Sequence, residues 1–254
     1  MAAQRAEDLL TIMEELSEAG NVHVRPDVYS YTTIIQSWAK CKRADKAQTV
    51  LKQMVDRGLH PNRLTYTALM NALSKAGQPE RAEYVLHQMI AARHQPDTVA
   101  FSSIIDGWAR VASKDRPEAA TRALQVLETM KGNASRGMGP SATTYTSVLT
   151  ALAKSGSRDT CEKALELLQD MEKDYTASSS RDAASFTAPD NNNNKNKNDN
   201  DKWSMRPTNI HYNCVLNAYA RNSRADKAIK AQELINVMEN HSRLDCRPDT
   251  ISYK

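Results

Sequence analysis

Cysteine, glycine and phenylalanine are scarce in this chain of 254 residues, which contains four, eight and two of them. None of the cysteines lies in a CxxC pair or another pairing pattern, so the sequence gives no sign of a disulphide framework and favours a reducing compartment. No apolar run approaches the roughly 18 residues of a membrane span, so we expect no membrane partner. The small numbers of glycine and phenylalanine are consistent with an all-helical chain.

Catalytic and metal-binding motifs are also missing. None of the six histidines lies in an HxE or HExxH motif or is spaced with cysteines as a zinc site requires. The sequence has no glycine-rich phosphate loop and no GxSxG motif. We therefore expect no enzyme, no metal, no cofactor and no small-molecule substrate. The formal net charge of +4 is a mild basic bias that is compatible with a nucleic-acid partner but does not establish one.

What the sequence does contain is a repeat. An aromatic residue with apolar residues three, four and seven places later occurs five times, each time after a Pro-X pair. That spacing is one face of an α-helix. The five copies are Tyr31/Ile34/Ile35/Trp38, Tyr66/Leu69/Met70/Leu73, Phe101/Ile104/Ile105/Trp108, Tyr145/Val148/Leu149/Leu152 and Tyr212/Val215/Leu216/Tyr219.

A second helical face follows each of the first ones. It starts with alanine and has apolar residues three, four and seven places later, ending in methionine. The copies are Ala47/Val50/Leu51/Met54, Ala82/Val85/Leu86/Met89, Ala123/Val126/Leu127/Met130, Ala164/Leu167/Leu168/Met171, Ala231/Leu234/Ile235/Met238 and, at the start of the chain, Ala6/Leu9/Leu10/Met13. Each repeat is thus predicted to be a helical hairpin. Because one hairpin cannot bury its apolar face alone, the hairpins must stack, which predicts an all-α solenoid.

The prolines that close the repeats give the period. They are Pro26, Pro61, Pro96, Pro140, Pro207 and Pro248, which are 35, 35, 44, 67 and 41 residues apart. The basic unit of 35 residues, with tyrosine in the fourth place and a closing Pro-Asp or Pro-Asn, resembles the pentatricopeptide repeat. The resemblance covers nearly the whole chain outside one insertion and implies a right-handed superhelix of helix-turn-helix repeats.

The repeat boundaries follow from this alignment. Residues 1–27 hold a partial repeat, 28–62, 63–97, 98–141 and 142–208 hold repeats 1 to 4, 209–249 hold repeat 5, and 250–254 begin another. Both ends fall inside a repeat, which predicts a piece of a longer array. Within repeat 4, residues 172–206 are rich in Ser, Asn, Asp and Lys, and we expect disorder there, most clearly from Thr176 to Lys202. Other added residues are expected to lengthen a turn or a second helix.

Two polar registers recur in every repeat. The helix register, one place after the aromatic residue, holds Thr32, Thr67, Ser102, Thr146 and Asn213. The closing register, directly after the closing proline, holds Asn62, Asp97, Ser141, Thr208 and Asp249. Residues of these types could simply start helices. However, small polar residues inside a helix are mildly unfavourable, and their recurrence in all five repeats favours a functional role.

The resemblance implies that these two registers read RNA bases, one base per repeat. Aspartate only accepts hydrogen bonds and so favours guanine or uracil, whereas asparagine also donates and suits adenine or cytosine. In the family, Thr or Ser in the helix register goes with purines and Asn with pyrimidines. The implied bases are adenine for Thr32 with Asn62, guanine for Thr67 with Asp97 and uracil for Asn213 with Asp249; the other two stay open. The family binds with its N-terminal repeat towards the 5′ end, which implies 5′-A-G-N-N-U-3′.

Two further registers could contact RNA. Two places before the aromatic stand Tyr29, Leu64, Val99, Thr143 and Ile210, which by the resemblance would sandwich the bases and otherwise pack at the helix entrance. Nine places after the aromatic stand Lys40, Lys75, Arg110, Lys154 and Arg221. A cation at a helix C-terminus is expected from the helix dipole, but five of five at one register also predicts a row of phosphate contacts.

These registers favour a protein that binds single-stranded RNA in a sequence-dependent way. The resemblance implies action in mitochondria or plastids on transcript processing, stability, editing or translation, with other RNA-processing proteins as further partners. The alternative is a protein-binding helical scaffold, for which larger and more varied groove residues would be typical. RNA contacts confined to repeats outside this sequence are a third reading. The sequence does not identify the transcript, the organelle or a partner enzyme.

Overall fold

The computed structural model describes residues 2–133, 139–183, 206–222, 226–241 and 243–253. In these ranges the chain forms eleven α-helices, two short 3-10 helices and no strand beyond an isolated bridge between Ser113 and Arg116. The α-helices are α1 Ala2–Glu18, α2 Val28–Lys40, α3 Ala44–Asp56, α4 Arg63–Lys75, α5 Pro79–Ala91, α6 Thr98–Val111, α7 Glu118–Gly132, α8 Ala142–Ser155, α9 Arg158–Ala183, α10 Asn209–Arg221 and α11 Lys227–Glu239. The predicted all-α repeat fold is confirmed.

The predicted helical faces form the core. All twenty residues of the five first-helix faces are buried. The second-helix faces of α5, α7 and α9 are buried throughout, while Leu51 in α3 and Ala231 and Ile235 in α11 are half-buried. Helix α1 differs, because it buries Ala3 and Leu10 and leaves Leu9 exposed. Its buried face is therefore narrower than the sequence pattern predicts.

The helices pack in the order of a stacked hairpin array inside each of two compact units, which comprise Met1–Gly107 and Trp108–Lys254. In the first unit, α2 and α4 pack on each other, each packs on its own second helix, and α1 and α3 each pack on the first helix that follows. In the second unit, α8, α9, α10 and α11 repeat this arrangement, and α7 packs on α8.

The helix boundaries have local causes. Every first helix begins directly after a Pro-X pair, because the X residue is the N-cap of that helix. Helix α5 begins at Pro79, where the missing N–H has no intrahelical partner to lose. Gly58, Gly77 and Gly156 have φ values of 75°, 74° and 61° one or two residues after a helix ends, where glycine adopts the left-handed conformation at little cost.

The insertion in repeat 4 needs a correction. The prediction of disorder from residue 172 is wrong at its start, since α9 continues to Ala183. A helix that is already formed adds residues at little cost because nucleation has been completed. Residues 184–205, which include Trp203 and most of the predicted loop, lie outside the described residues. Elsewhere the added residues lie in the connection 112–117 of repeat 3 and in an earlier start of α9, as expected.

The described ranges contain neither a candidate membrane-spanning helix nor a candidate metal site. No helix there combines the length and apolarity needed to cross a membrane. No group of three or more His, Cys, Asp or Glu side chains in that part of the chain is arranged to hold a metal ion. All four cysteines are free thiols, with Cys161 and Cys246 buried and Cys41 exposed.

Candidate nucleic-acid interface

The closing register caps the helix of the next repeat. Asn62 Oδ1 accepts a hydrogen bond from the Thr65 backbone N–H (3.0 Å), and Asp97 Oδ1 accepts one from the Ala100 N–H (2.8 Å). Asp249 Oδ1 accepts from the N–H groups of Ile251 and Ser252, which lie in a turn. The helix-start interpretation is thus correct for Asn62 and Asp97. Capping uses one side-chain oxygen, so the remaining polar atoms of Asn62 and Asp97 are available for a second role.

The helix register is more buried than its predicted role suggests. The hydroxyls of Thr32, Thr67 and Thr146 each donate to the carbonyl four residues earlier, at 2.7 to 2.9 Å, which satisfies them within their own helix. Thr32 is only 2% exposed and Thr67 8%, whereas Thr146 is half-buried. In repeats 1 and 2 the polar surface that a ligand can reach therefore belongs mainly to the closing residue.

In repeat 1 a third side chain joins the two predicted base readers. Thr65 Oγ1 lies 2.7 Å from Thr32 Oγ1 and donates to Asn62 Oδ1 at 3.0 Å. Thr65 itself is completely buried. Because Asn62 Oδ1 faces both the hydroxyl and the backbone N–H of Thr65, its oxygen must point inward and its Nδ2 group outward. Asn62 is exposed, so that donor faces solvent.

A histidine from repeat 5 has the same role beside the readers of repeat 4. His211 Nδ1 accepts the Thr208 backbone N–H at 3.1 Å, which leaves the ring proton on Nε2. Nε2 lies 3.1 Å from both Thr146 Oγ1 and the Ala142 carbonyl oxygen, and Nδ1 lies 3.1 Å from Thr208 Oγ1. The ring therefore connects Thr146 with Thr208. Burial is the main cause that lowers the pKa of His211, because desolvation penalises the charged imidazolium.

In repeat 5 the two predicted readers contact each other directly. Asn213 Nδ2 donates to Asp249 Oδ1 at 3.1 Å, and Ser252 Oγ donates to Asn213 Oδ1 at 2.6 Å. Ser252 Oγ also lies 3.2 Å from Asp249 Oδ1. Desolvation raises the pKa of Asp249, but hydrogen bonds from Asn213, Ser252 and Ile251 outweigh it and the pKa lies below its ordinary value. Asp249 is therefore an ionised acceptor at neutral pH.

The readers of repeat 2 have no such connection, because the third-place residue of repeat 3 is Ala100. The Asp97 carboxylate instead has Oδ2 3.8 Å from Arg63 Nε at the start of α4. In repeat 3 the two predicted readers fall in different compact units. There, Ser102 is half-buried, and Ser141 Oγ lies 2.7 Å from Thr143 Oγ1 and 3.0 Å from Thr144 Oγ1.

The predicted base-sandwiching residues are exposed. Tyr29, Leu64, Val99 and Ile210 leave between 50 and 74% of their surface in solvent, and Thr143 is exposed as well. Each stands on the first turn of its helix. Single apolar residues on a surface need no explanation, but four large ones at the same register of a repeat do. Packing at a helix entrance, the alternative explanation, does not fit this exposure.

The predicted phosphate contacts all stand in the last turn of a first helix, as the helix-dipole explanation also requires. Lys40 and Lys75 have no hydrogen-bond or ion-pair partner among the described residues. Lys154 Nζ donates to the Ala109 carbonyl at 2.8 Å, and Arg221 Nε donates to Asn217 Oδ1 at 3.1 Å. Arg110 is exposed and also has an interaction partner. The register is therefore mixed, with two free cations and three engaged ones.

Sequence reasoning missed two groups of residues at this surface. One is Asp27, which occupies the closing register of the partial repeat and caps α2 by accepting the Ser30 N–H at 2.8 Å. Hydrogen bonds from Ser30 lower the pKa of Asp27. The other is the third place of a repeat, which holds Thr65 in repeat 2, His211 in repeat 5 and Ser252 in the partial repeat that begins at residue 250. A hydrogen-bonding residue three places after a capping residue is a sequence signature that could have found both.

The comparisons with known proteins agree with this architecture. A family model described as "PPR repeat family" matches residues 26–75 and 64–110, and one described as "PPR repeat" matches 143–175 and 210–240. The matches together cover more than half of the chain. A pentatricopeptide repeat-containing protein of Arabidopsis thaliana is 34% identical over 59 residues, which are 23% of this chain and 10% of that protein.

Solved structures of the maize pentatricopeptide repeat protein PPR10 share the fold at 20% identity. The free protein aligns with a TM-score of 0.56 over 96% of this chain and 33% of its own. PPR10 in complex with an 18-nucleotide psaJ RNA element aligns with a TM-score of 0.50 over 98% of this chain and 35% of its own. The chain thus spans about a third of the length of these structures and a tenth of the curated relative. On its matched repeats, this chain belongs to the pentatricopeptide repeat family.

Proposed function

We propose that the chain binds single-stranded RNA in a sequence-dependent way, with each repeat reading about one base. The observation that carries the proposal is Asn62, an exposed residue whose oxygen is bonded inside the protein and whose Nδ2 donor faces solvent. Asn62 caps α4, which packs on α2. Each of these two helices carries an exposed apolar side chain in its first turn, Leu64 on α4 and Tyr29 on α2. A polar edge reader with apolar stacking surfaces is what an unstacked base requires.

The hydrogen-bonding character of the closing residues supports the bases that the family resemblance implies. The outward Nδ2 group of Asn62 donates, and so matches the ring-nitrogen acceptor on the pairing edge of adenine or cytosine. The carboxylate of Asp97 accepts only, and so matches the imino N–H of guanine or uracil. We therefore propose adenine at repeat 1, guanine at repeat 2 and uracil at repeat 5, in the order 5′-A-G-N-N-U-3′.

The proposed role requires no covalent chemistry from this chain. Bound RNA would be protected, remodelled or presented to other RNA-processing proteins. We propose mitochondria or plastids as the compartment, a proposal supported by family membership alone. Crosslinking of the protein to RNA in cells, followed by sequencing, would identify the transcript and its compartment. Recovery of peptides in place of RNA would support the protein-binding alternative.

The direct test is a base swap at the first repeat. Asn62→Asp replaces an amide that donates outward with a carboxylate that only accepts, and retains the cap because aspartate is an equally good N-cap. Binding of RNAs that differ only at the first base is measured by fluorescence anisotropy. We expect the preferred base to change from adenine to guanine, by about 1–3 kcal/mol in discrimination, as for good base-edge contacts on DNA.

Asp97→Asn is the matched reciprocal change, and should move the second base from guanine towards adenine while leaving the first unaffected. If neither substitution alters the ranking of bases at its own position, the closing register does not read bases. If the unaltered chain fails to prefer single-stranded RNA over double-stranded RNA of the same sequence, the proposed function itself is wrong.

A further inference from the structure

We infer that a third-place residue with a hydrogen-bonding side chain is a positioning residue for the base readers of the preceding repeat. The inference rests on the proposed function and concerns Thr65, His211 and Ser252. None of the three is itself a base contact, because they are between 0 and 8% exposed. Each one nevertheless lies within hydrogen-bond distance of both predicted readers of the preceding repeat.

The hydrogen bonds of Asn62 in repeat 1 show how the third-place residue Thr65 positions a base reader. Asn62 Oδ1 receives the Thr65 backbone N–H, so turning the amide over would bring Nδ2 against that donor. Such a turned amide would leave buried polar groups unsatisfied, which is costly. Thr65 Oγ1 also contacts the buried Thr32 hydroxyl. Because Thr32 donates its only hydroxyl proton to the Val28 carbonyl, the single hydroxyl proton of Thr65 is shared between Thr32 Oγ1 and Asn62 Oδ1. The Thr32 side chain can therefore affect a base mainly through Thr65, by setting the orientation and mobility of Asn62.

Hydroxyls stand at the third place beside several kinds of closing residue, including Ser30 beside Asp27 and Thr144 beside Ser141. Both described pairs that contain an amide have a hydroxyl there, Thr65 beside Asn62 and Ser252 beside Asn213. An amide has two different ends and needs a donor to fix which of them faces outward. The carboxylate of Asp97 has two equivalent oxygens and needs no such partner, and its third-place residue is Ala100. His211 serves a pair of hydroxyls, whose rotation it restricts in the same way.

The test compares two changes at one position. Thr65→Val removes the hydroxyl and retains the shape, and Thr65→Ser retains the hydroxyl. RNAs with each of the four bases at the first and second positions are titrated by fluorescence anisotropy. We expect Thr65→Val to reduce the preference for adenine over guanine at the first position about fivefold, the usual contribution of one neutral hydrogen bond. The second position should not respond, and Thr65→Ser should retain the preference.

A second measurement keeps the inference testable if Thr65→Val fails to fold. Repeat 2 is converted to Asp97→Asn alone and to Asp97→Asn with Ala100→Ser. The double variant, which regains a hydroxyl beside its amide, should prefer adenine at the second position about fivefold more strongly than the single one.

Three outcomes separate this inference from the proposed function. If Thr65→Val weakens the binding of all four RNAs to an equal extent, Thr65 is a purely structural residue and the inference is overturned. The inference also fails, with the proposed function intact, if Asn62→Asp changes the base ranking but Thr65→Val does not. If Asn62→Asp has no effect on that ranking either, the base-reading assignment fails first and the inference fails with it.

Discussion

Repeats 1 and 2 are the closest pair in the molecule, and they differ where function is proposed. Each is 35 residues long, and every helix of repeat 2 begins and ends 35 residues after its counterpart in repeat 1. The core faces match position by position, with Leu51 the one member that is half-buried rather than buried. The differences lie at the helix ends. The core thus fixes the hairpin, and the ends are free to vary.

Both repeats need a left-handed residue at the end of each helix, and they place glycine at opposite ends. In repeat 1, Lys42 (φ 56°) follows α2 and Gly58 (φ 75°) follows α3. In repeat 2, Gly77 (φ 74°) follows α4 and Arg93 (φ 59°) follows α5. The same backbone is therefore built with a favourable residue at one end and an unfavourable one at the other.

The largest effect is expected in the shared core. Met54 and Met89 close the second-helix faces of repeats 1 and 2, and neither has exposed surface. Met54→Ala and Met89→Ala should each lower the free energy of unfolding by about 2–5 kcal/mol, because each leaves a cavity among close-packed helices. Urea unfolding followed by circular dichroism measures both. A cost below about 1 kcal/mol in only one of them would show that the two cores are not equivalent.

An intermediate effect is expected at the left-handed positions. Arg93→Gly should raise the free energy of unfolding by about 0.5–1 kcal/mol, because glycine adopts positive φ without steric cost. Gly58→Ala, at the matching end of repeat 1, should lower it by about 1 kcal/mol. An added Cβ at Gly58 meets nothing within 4 Å, so this loss would come from the backbone alone. Thermal unfolding of the two variants should move in opposite directions; movement in one direction would contradict the comparison.

The sequence predicts the repeated parts of this structure well, because the apolar spacing of Tyr31 to Trp38 and its copies is a local property. The Pro-X pairs also give the start of every first helix. The extension of α9 to Ala183 could not be predicted, since its composition is that of a loop and its cause is the helix before it.

The candidate site was predictable only in part. The registers can be read from the repeat, but the contacts of Thr65, His211 and Ser252 join residues 33, 65 and 39 positions apart. Such contacts depend on how one hairpin stacks on the next. Burial of Thr32 has the same origin, because its hydroxyl is covered by Thr65 from the following repeat.

At the third place of repeat 5 stands a titratable residue, His211, which contacts the readers of repeat 4. Since burial lowers the pKa of His211 below its ordinary value of 6.5, the unfolded chain binds a proton more readily than the folded one. The contribution of His211 to stability is thus present above about pH 6.5 and lost as the pH falls towards the folded-state pKa. Protonation would also place a proton on His211 Nδ1, which would then face the Thr208 backbone N–H and could no longer accept its hydrogen bond.

His211→Thr, which gives repeat 5 the third-place residue of repeat 2, isolates this effect. The difference in free energy of unfolding between the original chain and the variant should shrink as the pH is lowered below about 6.5. Urea midpoints measured across that range test it, because the other five histidines are common to both chains. A difference that is independent of pH would mean that His211 does not titrate in the folded state differently from the unfolded one.

The smallest expected effect is on the salt dependence of RNA binding. It distinguishes Lys40 and Lys75, which have no partner among the described residues, from Lys154, which has one. If Lys40 and Lys75 contact phosphates, Lys40→Ala or Lys75→Ala should reduce the slope of log affinity against log salt by about 0.7. Over a threefold rise in salt this is only about a twofold change in affinity, so the slope is the better measurement.

Lys52, an exposed lysine on α3, provides the matched control. Lys154 already donates to the Ala109 carbonyl, so Lys154→Ala should change the slope less than Lys40→Ala. Equal slopes for Lys52→Ala and Lys40→Ala would show that net charge alone is responsible, and would return the register to its role at the helix dipole.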